Sequence, residues 1–249
     1  MNPTSSIQDL KAFLDAFADK ERSLRESRLT LEKAALRNTL EGFALVNRFV
    51  KRERKRTAPD LNIFDIIKLN RGEEEGLHTP MLGWLLDPRA NHDQGHLFYD
   101  RFIEFNGWEE TVFAQPDSLT VRQEVGTGLG RVDLLLQGHK KLERFAMVIE
   151  NKPKWAIDQH TQMERYYKYL TDVLGLPPSN IKLIYLTPVG SQPADHSMNL
   201  PRQQDLTHQG VLHCLSYHHH ISKWLDASEV EPPNLQCLLE QYQRAIAQL

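Results

Sequence analysis

Residues 131–170 read RVDLLLQGHKKLERFAMVIENKPKWAIDQHTQMERYYKYL, and this stretch decides the fold. Two apolar runs on either side of the turn at 138–141 predict two neighbouring strands. Polar residues at helical spacing follow the second strand and predict a helix. The order strand, turn, strand and helix therefore indicates an α/β fold in which a helix packs on a sheet.

Charged residues stand where an apolar strand normally excludes them. Asp133 lies inside the first run, and the second run ends on Glu150, Asn151 and Lys152. Because side chains alternate along a strand, Glu150 and Lys152 project from one face and Asn151 from the other. Two carboxylates suit Mg²⁺, and a nearby lysine can orient a water or offset charge on phosphorus. The alternative is a structural ion pair of Lys152 with Asp133 or Glu150.

The predicted helix has a polar face and an apolar face. Helical spacing places on the polar face Gln159, Gln162, Tyr166 and Tyr169. The opposite face carries the predicted core residues Met163, Tyr167 and Leu170. The polar face follows Glu150 and Lys152 closely enough in the chain to complete one site with them.

These motifs together resemble those of the PD-(D/E)XK nuclease superfamily. The resemblance is carried by Asp133, by Glu150-x-Lys152 and by Gln162-x-x-x-Tyr166. The last motif is similar to the QxxxY motif of RecB-like members, and IENK…DQ..Q..RYY.YL is similar to a bacterial branch of the superfamily. The resemblance extends from Ile63 to the C-terminus. It implies a restriction-endonuclease-like mixed β-sheet flanked by helices.

The resemblance also implies an activity. It indicates a Mg²⁺-dependent nuclease that hydrolyses DNA phosphodiester bonds to leave a 5′-phosphate, with Mn²⁺ able to substitute. The implied catalytic residues are Asp133, Glu150, Lys152, Gln162 and Tyr166. The implied metal ligands are Asp133, Glu150 and the carbonyl of Asn151. Defence against phage or mobile DNA, or DNA repair, is the implied role. The alternative is a catalytically inactive module that keeps the fold to bind nucleic acid or a partner.

A second pattern lies upstream, between Asn62 and Pro88. Pro80 predicts a helix that starts there with Thr79 as its N-cap, because proline fits the first helical turn. Relatives have a similar E..HS..L.WLLDP pattern, and RecB-like nucleases carry a metal-binding histidine in a comparable motif. The resemblance therefore implies Glu75 and His78 as further metal ligands. The alternative for His78 is a capping or surface group.

Three other polar clusters are interpreted as structural. The segment 91–96, with two histidines and an aspartate, is predicted to be a loop that caps the next helix. The His-rich tract 218–220 is predicted to be a loop at a strand end, because only alternate side chains could converge on a metal. Glu124 is predicted to pair across strands with Arg131 or Arg122.

The N-terminal fifth of the chain has a different character. Residues 6–56 are predicted to be helical, because no Gly or Pro occurs from Thr4 to Glu41 and apolar residues recur at helical spacing. We expect residues 1–58 to form a helical extension and residues 59–249 the nuclease-like domain. The extension is either an arm packed on that domain or a surface for a second copy or a partner protein. Its basic run at 51–56 is interpreted as a solvated helix end.

Composition limits the remaining choices. The chain has 249 residues, 40% of them hydrophobic, which is enough to bury a substantial core. Its two cysteines suggest no disulfide framework, and neither a membrane span nor a signal peptide is predicted, so we expect a cytoplasmic protein. The net charge of −3 excludes a basic protein that coats nucleic acid. Contact with DNA must therefore come from a local patch and bound metal.

Overall fold

The computed structural model describes residues 3–58, 75–153 and 157–249, with the side chains of residues 3–10, 12, 15, 75 and 76 left out. The described chain divides into two compact units, Met1–Glu53 and Arg54–Leu249. The second unit contains the strands and both buried clusters.

One mixed sheet forms the centre of the second unit. Its strands, in spatial order, are β1 (Ser118–Gly126), β2 (Arg131–Lys140), β3 (Glu143–Asn151), β4 (Ile181–Thr187) and β5 (Leu212–Ser216). The pairs β1–β2 and β2–β3 are antiparallel, whereas β3–β4 and β4–β5 are parallel. Parallel neighbours require crossover connections, and helices occupy both of them.

The helices flank this sheet or precede it in the chain. They are α1 (Pro3–Thr57), α2 (Glu75–Leu86), α3 (Leu97–Phe105), α4 (Gln162–Lys168), α5 (Leu200–His208), α6 (Ser222–Ala227) and α7 (Pro233–Ile246). Short helical turns at Tyr169–Val173, Pro178–Asn180 and Tyr217–Ile221 complete the secondary structure of the described residues. The predicted α/β fold, a mixed sheet flanked by helices, is confirmed, and the structure shows that the sheet has five strands.

Each face of the sheet buries its own apolar cluster. Helices α2, α3, α6 and α7 cover one face, on which lie Leu134, Leu136, Met147, Ile149, Ile184 and Leu186. Helices α4 and α5 cover the other face, on which lie Val132, Leu135, Ala146, Val148 and Leu183. Burial on both faces explains why β3 and β4 read as nearly continuous apolar runs. A charged residue at the end of one of these strands therefore lies next to a layer of packed apolar side chains.

The prediction for the start of α2 was wrong. The helix begins at Glu75, and Pro80 lies inside it instead of in its first turn. Thr79 is not an N-cap because it lies inside the helix, where its Oγ1 accepts a hydrogen bond from Asn151 Nδ2 at 2.9 Å. Proline removes one backbone donor from a helix, yet burial of His78 and Thr79 keeps the preceding turn helical. Tertiary packing has overridden the positional preference of proline.

The polar face predicted for α4 needs two corrections. Tyr169 lies in the short turn after the helix and is buried in the apolar cluster. The helix begins at Gln162, so Gln159 precedes it and does not share its face. Gln159 is exposed, and its backbone N–H donates to Gln162 Oε1 at 3.1 Å. The predicted core residues Met163, Tyr167 and Leu170 are buried, as expected. Tyr166 is buried as well, because its ring packs in the same cluster as Met163.

Helix α1 confirms the prediction of an N-terminal helix and extends over 55 residues. Many of its large apolar side chains are exposed, among them Phe17, Leu31, Leu36 and Phe43. Despite its length, neither α1 nor any other helix of the described chain is apolar enough to span a membrane.

Candidate active site

The strand register brings the two predicted carboxylates together. Leu134 of β2 is opposite Ile149 of β3, so the next position along both strands places Asp133 beside Glu150. Asp133 Oδ2 accepts a hydrogen bond of 2.7 Å from the backbone N–H of Asn151. The carboxylate of β2 is thus anchored directly to the end of β3.

Glu150 is almost fully enclosed, with its side chain only 2% exposed. Its Oε1 lies 2.8 Å from Lys152 Nζ and accepts a 2.8 Å hydrogen bond from Gln162 Nε2. Its other oxygen, Oε2, is buried without a hydrogen-bond partner. A buried carboxylate oxygen of this kind is costly unless a cation or a donor satisfies it.

Helix α4 supplies the second wall of the site. Gln162 and Tyr166 are one helical turn apart, and Gln162 Nε2 also donates to the Tyr166 hydroxyl at 3.0 Å. The Tyr166 hydroxyl in turn donates to the backbone carbonyl of Arg131. The QxxxY spacing therefore links Glu150 at the end of β3 to the start of β2.

The side chain of Asn151 belongs to the other face of the sheet. Its Oδ1 accepts a 2.6 Å hydrogen bond from the Tyr217 hydroxyl, and its Nδ2 donates to Thr79. This confirms the predicted alternation of Glu150, Asn151 and Lys152 at the strand end. Only the backbone of Asn151, through its N–H to Asp133, takes part on the carboxylate side.

Burial and mutual repulsion both act on the carboxylates. Burial, reinforced by the neighbouring Glu150 charge, raises the pKa of Asp133 to about 8. Burial also raises the pKa of Glu150, although Lys152 opposes that shift. Burial alone would lower the pKa of Lys152, but the Glu150 charge and its hydrogen bond outweigh this and raise it. The lysine therefore remains an ammonium ion, and the carboxylates lack sufficient positive charge around them.

This arrangement suits a divalent cation. When all three carboxyl groups are ionised, Asp133, Glu150 and the nearby Asp158 carry three negative charges, against one positive charge on Lys152. One Mg²⁺ would balance the remaining two charges, and the unpartnered Glu150 Oε2 is a hard oxygen ligand of the type that Mg²⁺ prefers. Mg²⁺ retains several waters, so two carboxylates are a sufficient protein contribution. The residues therefore fit the implied metal.

His78 makes its contacts away from this group. His78 is buried, its Nδ1 lies 3.2 Å from the Tyr242 hydroxyl, and its ring packs on Tyr217. Among the described residues no three His, Cys, Asp or Glu side chains are placed to hold one metal, so His78 does not join Asp133 and Glu150. The side chain of Glu75 lies outside the described residues, and its predicted role stays a prediction.

The three clusters interpreted as structural have structural contacts. His92, from the segment 91–96, is buried, and its ring packs against Trp84 and Phe98. Glu124 pairs with Arg131 at 2.5 Å, as expected. The tract 218–220 forms part of a short helical turn instead of the predicted loop.

Asp158 is a member of the site that the sequence analysis did not single out. Its carboxylate is buried, and its Oδ1 lies 4.0 Å from Lys152 Nζ. The signal was available in the DQ pair of the pattern IENK…DQ, at residues 158–159. Spacing alone could not reveal it, because residues between Lys152 and α4 follow neither strand nor helix periodicity.

Comparison with known proteins supports this description. A family model described as PD-(D/E)XK nuclease superfamily matches residues 61–244. The match covers well over half of the chain, and the chain belongs to the PD-(D/E)XK nuclease superfamily. The superfamily consists generally of nucleases, which typically use divalent metals such as Mg²⁺. No curated protein and no solved structure matches the chain.

Proposed function

We propose that this protein is a Mg²⁺-dependent nuclease that hydrolyses phosphodiester bonds in DNA. The observation that carries the proposal is the meeting of Asp133, Glu150 and Lys152 at adjacent strand ends, with Glu150 Oε2 buried and unpartnered. A buried carboxylate oxygen is costly when no donor or cation satisfies it. Here one oxygen is left for a further ligand.

Each residue has a role that its position supports. Asp133 and Glu150 would hold the metal, together with the Asn151 carbonyl. When bound, the metal polarises a phosphoryl oxygen and acidifies a water. Lys152 presents an ammonium, fixed by Glu150, that orients the attacking water and offsets charge on the phosphorus oxygens.

The amide and phenol of α4 complete the proposed mechanism. Gln162 holds Glu150 Oε1 in place, and Tyr166 holds Gln162 and the backbone of β2. The attacking water forms a bond to phosphorus while the bond from phosphorus to the 3′ oxygen breaks. The product therefore carries a 5′-phosphate.

Cleavage of DNA tests the proposal directly. Supercoiled plasmid and linear single-stranded DNA are incubated with Mg²⁺ or Mn²⁺ and wild-type protein, Asp133→Ala or Lys152→Ala. The matched control is Lys182→Met, since Lys182 is also a buried lysine but packs on Trp108 and donates to the Gly210 carbonyl. We expect metal-dependent cutting by wild type and control, and loss of at least about a hundredfold in both site variants.

The outcomes separate the two classes of function. Cutting that survives in Asp133→Ala or Lys152→Ala would contradict the assigned site. Binding of DNA or protein without cutting would favour the alternative, a catalytically inactive binding module. The product pattern of an active enzyme distinguishes endonuclease from exonuclease action.

The proposed biological setting is defence against phage or mobile DNA, with DNA repair as the second choice, and it rests on the resemblance alone. Expression of wild type in a bacterial host is expected to lower the plating efficiency of some phages. Asp133→Ala should restore it. Repair would be favoured if phages plated equally on cells with wild type and cells with Asp133→Ala. Cells that lack the active protein should then also survive ultraviolet irradiation less well than cells that have it.

A further inference from the structure

Asp158 is held rigidly, although it lies outside every helix and strand of the described chain. Its Oδ1 accepts a 2.8 Å hydrogen bond from the Tyr185 hydroxyl, and its Oδ2 accepts a 2.7 Å hydrogen bond from the backbone N–H of Ala194. Its own carbonyl lies 2.8 Å from His196 Nε2. Both carboxylate oxygens are therefore fixed, one by β4 and one by the loop that follows β4.

The fixed carboxylate determines which groups surround Lys152. The ammonium lies 2.8 Å from Glu150 Oε1 and 4.0 Å from Asp158 Oδ1. In the described chain Lys152 forms ion pairs with these two residues and not with Asp133. The Asp133 charge nevertheless raises the pKa of Lys152 by more than the Asp158 charge does, so the ammonium is strongly attracted towards Asp133 as well. The ammonium thus lies within ion-pair distance of Glu150 and Asp158 but not of Asp133.

The alternative position for the ammonium is the gap between the two proposed metal ligands. Asp133 and Glu150 are neighbours across strands, and Glu150 Oε2 is free to accept a further contact. Without Asp158, the remaining negative charges that attract Lys152 are those two carboxylates. The ammonium would then bridge them and compete with a metal ion for the same oxygens.

We infer that Asp158 is a positioning residue that holds Lys152 out of the gap between Asp133 and Glu150 and so keeps that gap open for the metal. The inference rests on the proposed function for its catalytic consequence. It also predicts that the effect of Asp158 on metal affinity depends on Lys152, and this prediction can be tested without DNA cleavage. Asp158 also connects this coupling to the loop at 188–196, which lines a cavity of about 260 Å³ beside Lys152.

Calorimetric titration with Mn²⁺ and with Mg²⁺ tests the coupling in the full-length chain. The variants are Asp158→Asn, Lys152→Met and the double variant, with Asp172→Asn as the control for loss of an exposed carboxylate. We expect Asp158→Asn to weaken metal binding by about tenfold, which is within the range for coupled neighbouring charges. The control should bind metal as wild type does.

The double variant distinguishes positioning from a simple loss of charge. If Asp158 acts through Lys152, removing Asp158 in the Lys152→Met background should change the metal affinity by less than about twofold. If Asp158 acts only through the attraction of its negative charge for the metal, Asp158→Asn will still weaken metal binding about tenfold in the Lys152→Met background. Persistence, or an unchanged affinity in Asp158→Asn, would overturn the inference.

A crystal structure of metal-free Asp158→Asn provides a second readout and detects local misfolding. The expected result is Lys152 Nζ within ion-pair distance of both Asp133 and Glu150, with the loop at 188–196 in place. The inference would be overturned if Lys152 Nζ remained within ion-pair distance of Glu150 but not of Asp133. Tyr185→Phe, which keeps the carboxylate but removes the donor to Oδ1, should weaken metal binding less than Asp158→Asn.

The inference and the proposed function fail in different ways. Metal binding with the expected coupling but no cleavage of any DNA would contradict the nuclease and leave the role of Asp158 standing. Cleavage of DNA without any dependence of metal affinity on the Asp158–Lys152 pair would support the nuclease and contradict the role of Asp158. In an active enzyme, Asp158→Asn at saturating metal should lower kcat by more than it raises KM for DNA, because Lys152 acts on the transition state.

Discussion

At the scale of single residues, Glu150 shows why the site needs a cation. It is almost fully enclosed, shares one oxygen between Lys152 and Gln162, and leaves the other without a partner. Asp133, its neighbour on β2, adds a second charge in the same enclosed region. A folded protein tolerates this charge density more easily when a bound ion balances it.

Substitution of Asp133 tests this charge balance through stability. Mg²⁺ should stabilise wild type by about 2.7 kcal/mol when its concentration is a hundred times the Kd. Asp133→Asn keeps an acceptor for the Asn151 N–H but removes one charge and one metal ligand, so the Mg²⁺-dependent rise in Tm should be largely lost. Thermal unfolding with and without Mg²⁺ measures this, and Asp172→Asn should retain the full rise. An undiminished rise in Asp133→Asn would exclude this carboxylate as a ligand.

His213 makes stability depend on pH. Burial lowers its pKa to about 4, and the nearby Lys182 charge acts in the same direction against its hydrogen bond to the Gly210 carbonyl. The unfolded chain binds a proton at this histidine near pH 6.5, whereas the folded chain does so only near pH 4. The contribution of His213 to the free energy of unfolding is therefore fully present above about pH 6.5 and is lost as the pH falls toward 4.

Replacement of that histidine should flatten the pH dependence. Between pH 7 and pH 5, wild type should lose on the order of 1 kcal/mol more than His213→Gln, a figure reduced for partial exposure of the ring. Glutamine can still donate to Gly210. Urea unfolding in the presence of EDTA at both pH values measures the difference. An equal loss in both proteins would show that His213 is not the responsible group.

At the scale of elements, α4 is a seven-residue helix held by the loop that follows β4. The backbone N–H of Thr161 donates to the His196 carbonyl, and that of Met163 donates to Ser197 Oγ. These bonds replace a side-chain N-cap, which the helix lacks. A helix this short obtains its stability from tertiary contacts. Its two functional residues therefore depend on the loop for their position.

The two positioning residues of α4 should respond differently to substitution. Gln162→Ala removes the amide that holds Glu150 Oε1, and we expect kcat to fall by about ten- to a hundredfold with little change in KM for DNA. Tyr166→Phe keeps the Gln162 amide on Glu150 but removes the hydroxyl that donates to the Arg131 carbonyl and interacts with Glu150, which should cost about 1 kcal/mol of folding stability. Steady-state cleavage and urea unfolding separate these effects. Equal kinetic losses in both variants would contradict the proposed division of roles.

At the scale of the whole molecule, the chain consists of a unit with the site and a unit that is one long helix. The division falls between Glu53 and Arg54, five residues before the proposed boundary at 58/59. Arg54 pairs with Asp93, and Gln94 donates to the carbonyl of Lys55, so the last turn of α1 belongs with the sheet-containing unit. The exposed apolar side chains of the rest of α1 are suited to packing against a partner.

Removal of the first unit tests the division. A chain of residues 54–249 should unfold cooperatively and keep its Mg²⁺-dependent rise in Tm, because it contains both buried clusters and Asp133, Glu150 and Lys152. By light scattering after gel filtration, it should have the mass of one chain, whereas the full chain should have the mass of two or more. A monomeric full-length chain would contradict the use of α1 as a surface for a second copy, and an unfolded truncation would contradict the division.

The sequence alone determined the two strands that carry Asp133 and Glu150 and the faces of Glu150, Asn151 and Lys152. Those features follow from local periodicity, which apolar runs and turn residues record directly. Only the tertiary structure decided the helical turn before Pro80, the separation of His78 from the carboxylates and the position of Asp158 beside Lys152. These depend on contacts between residues distant in the chain, such as Thr79 with Asn151 and Asp158 with Ala194. Spacing in a sequence carries no record of such contacts, because they form only when the elements pack.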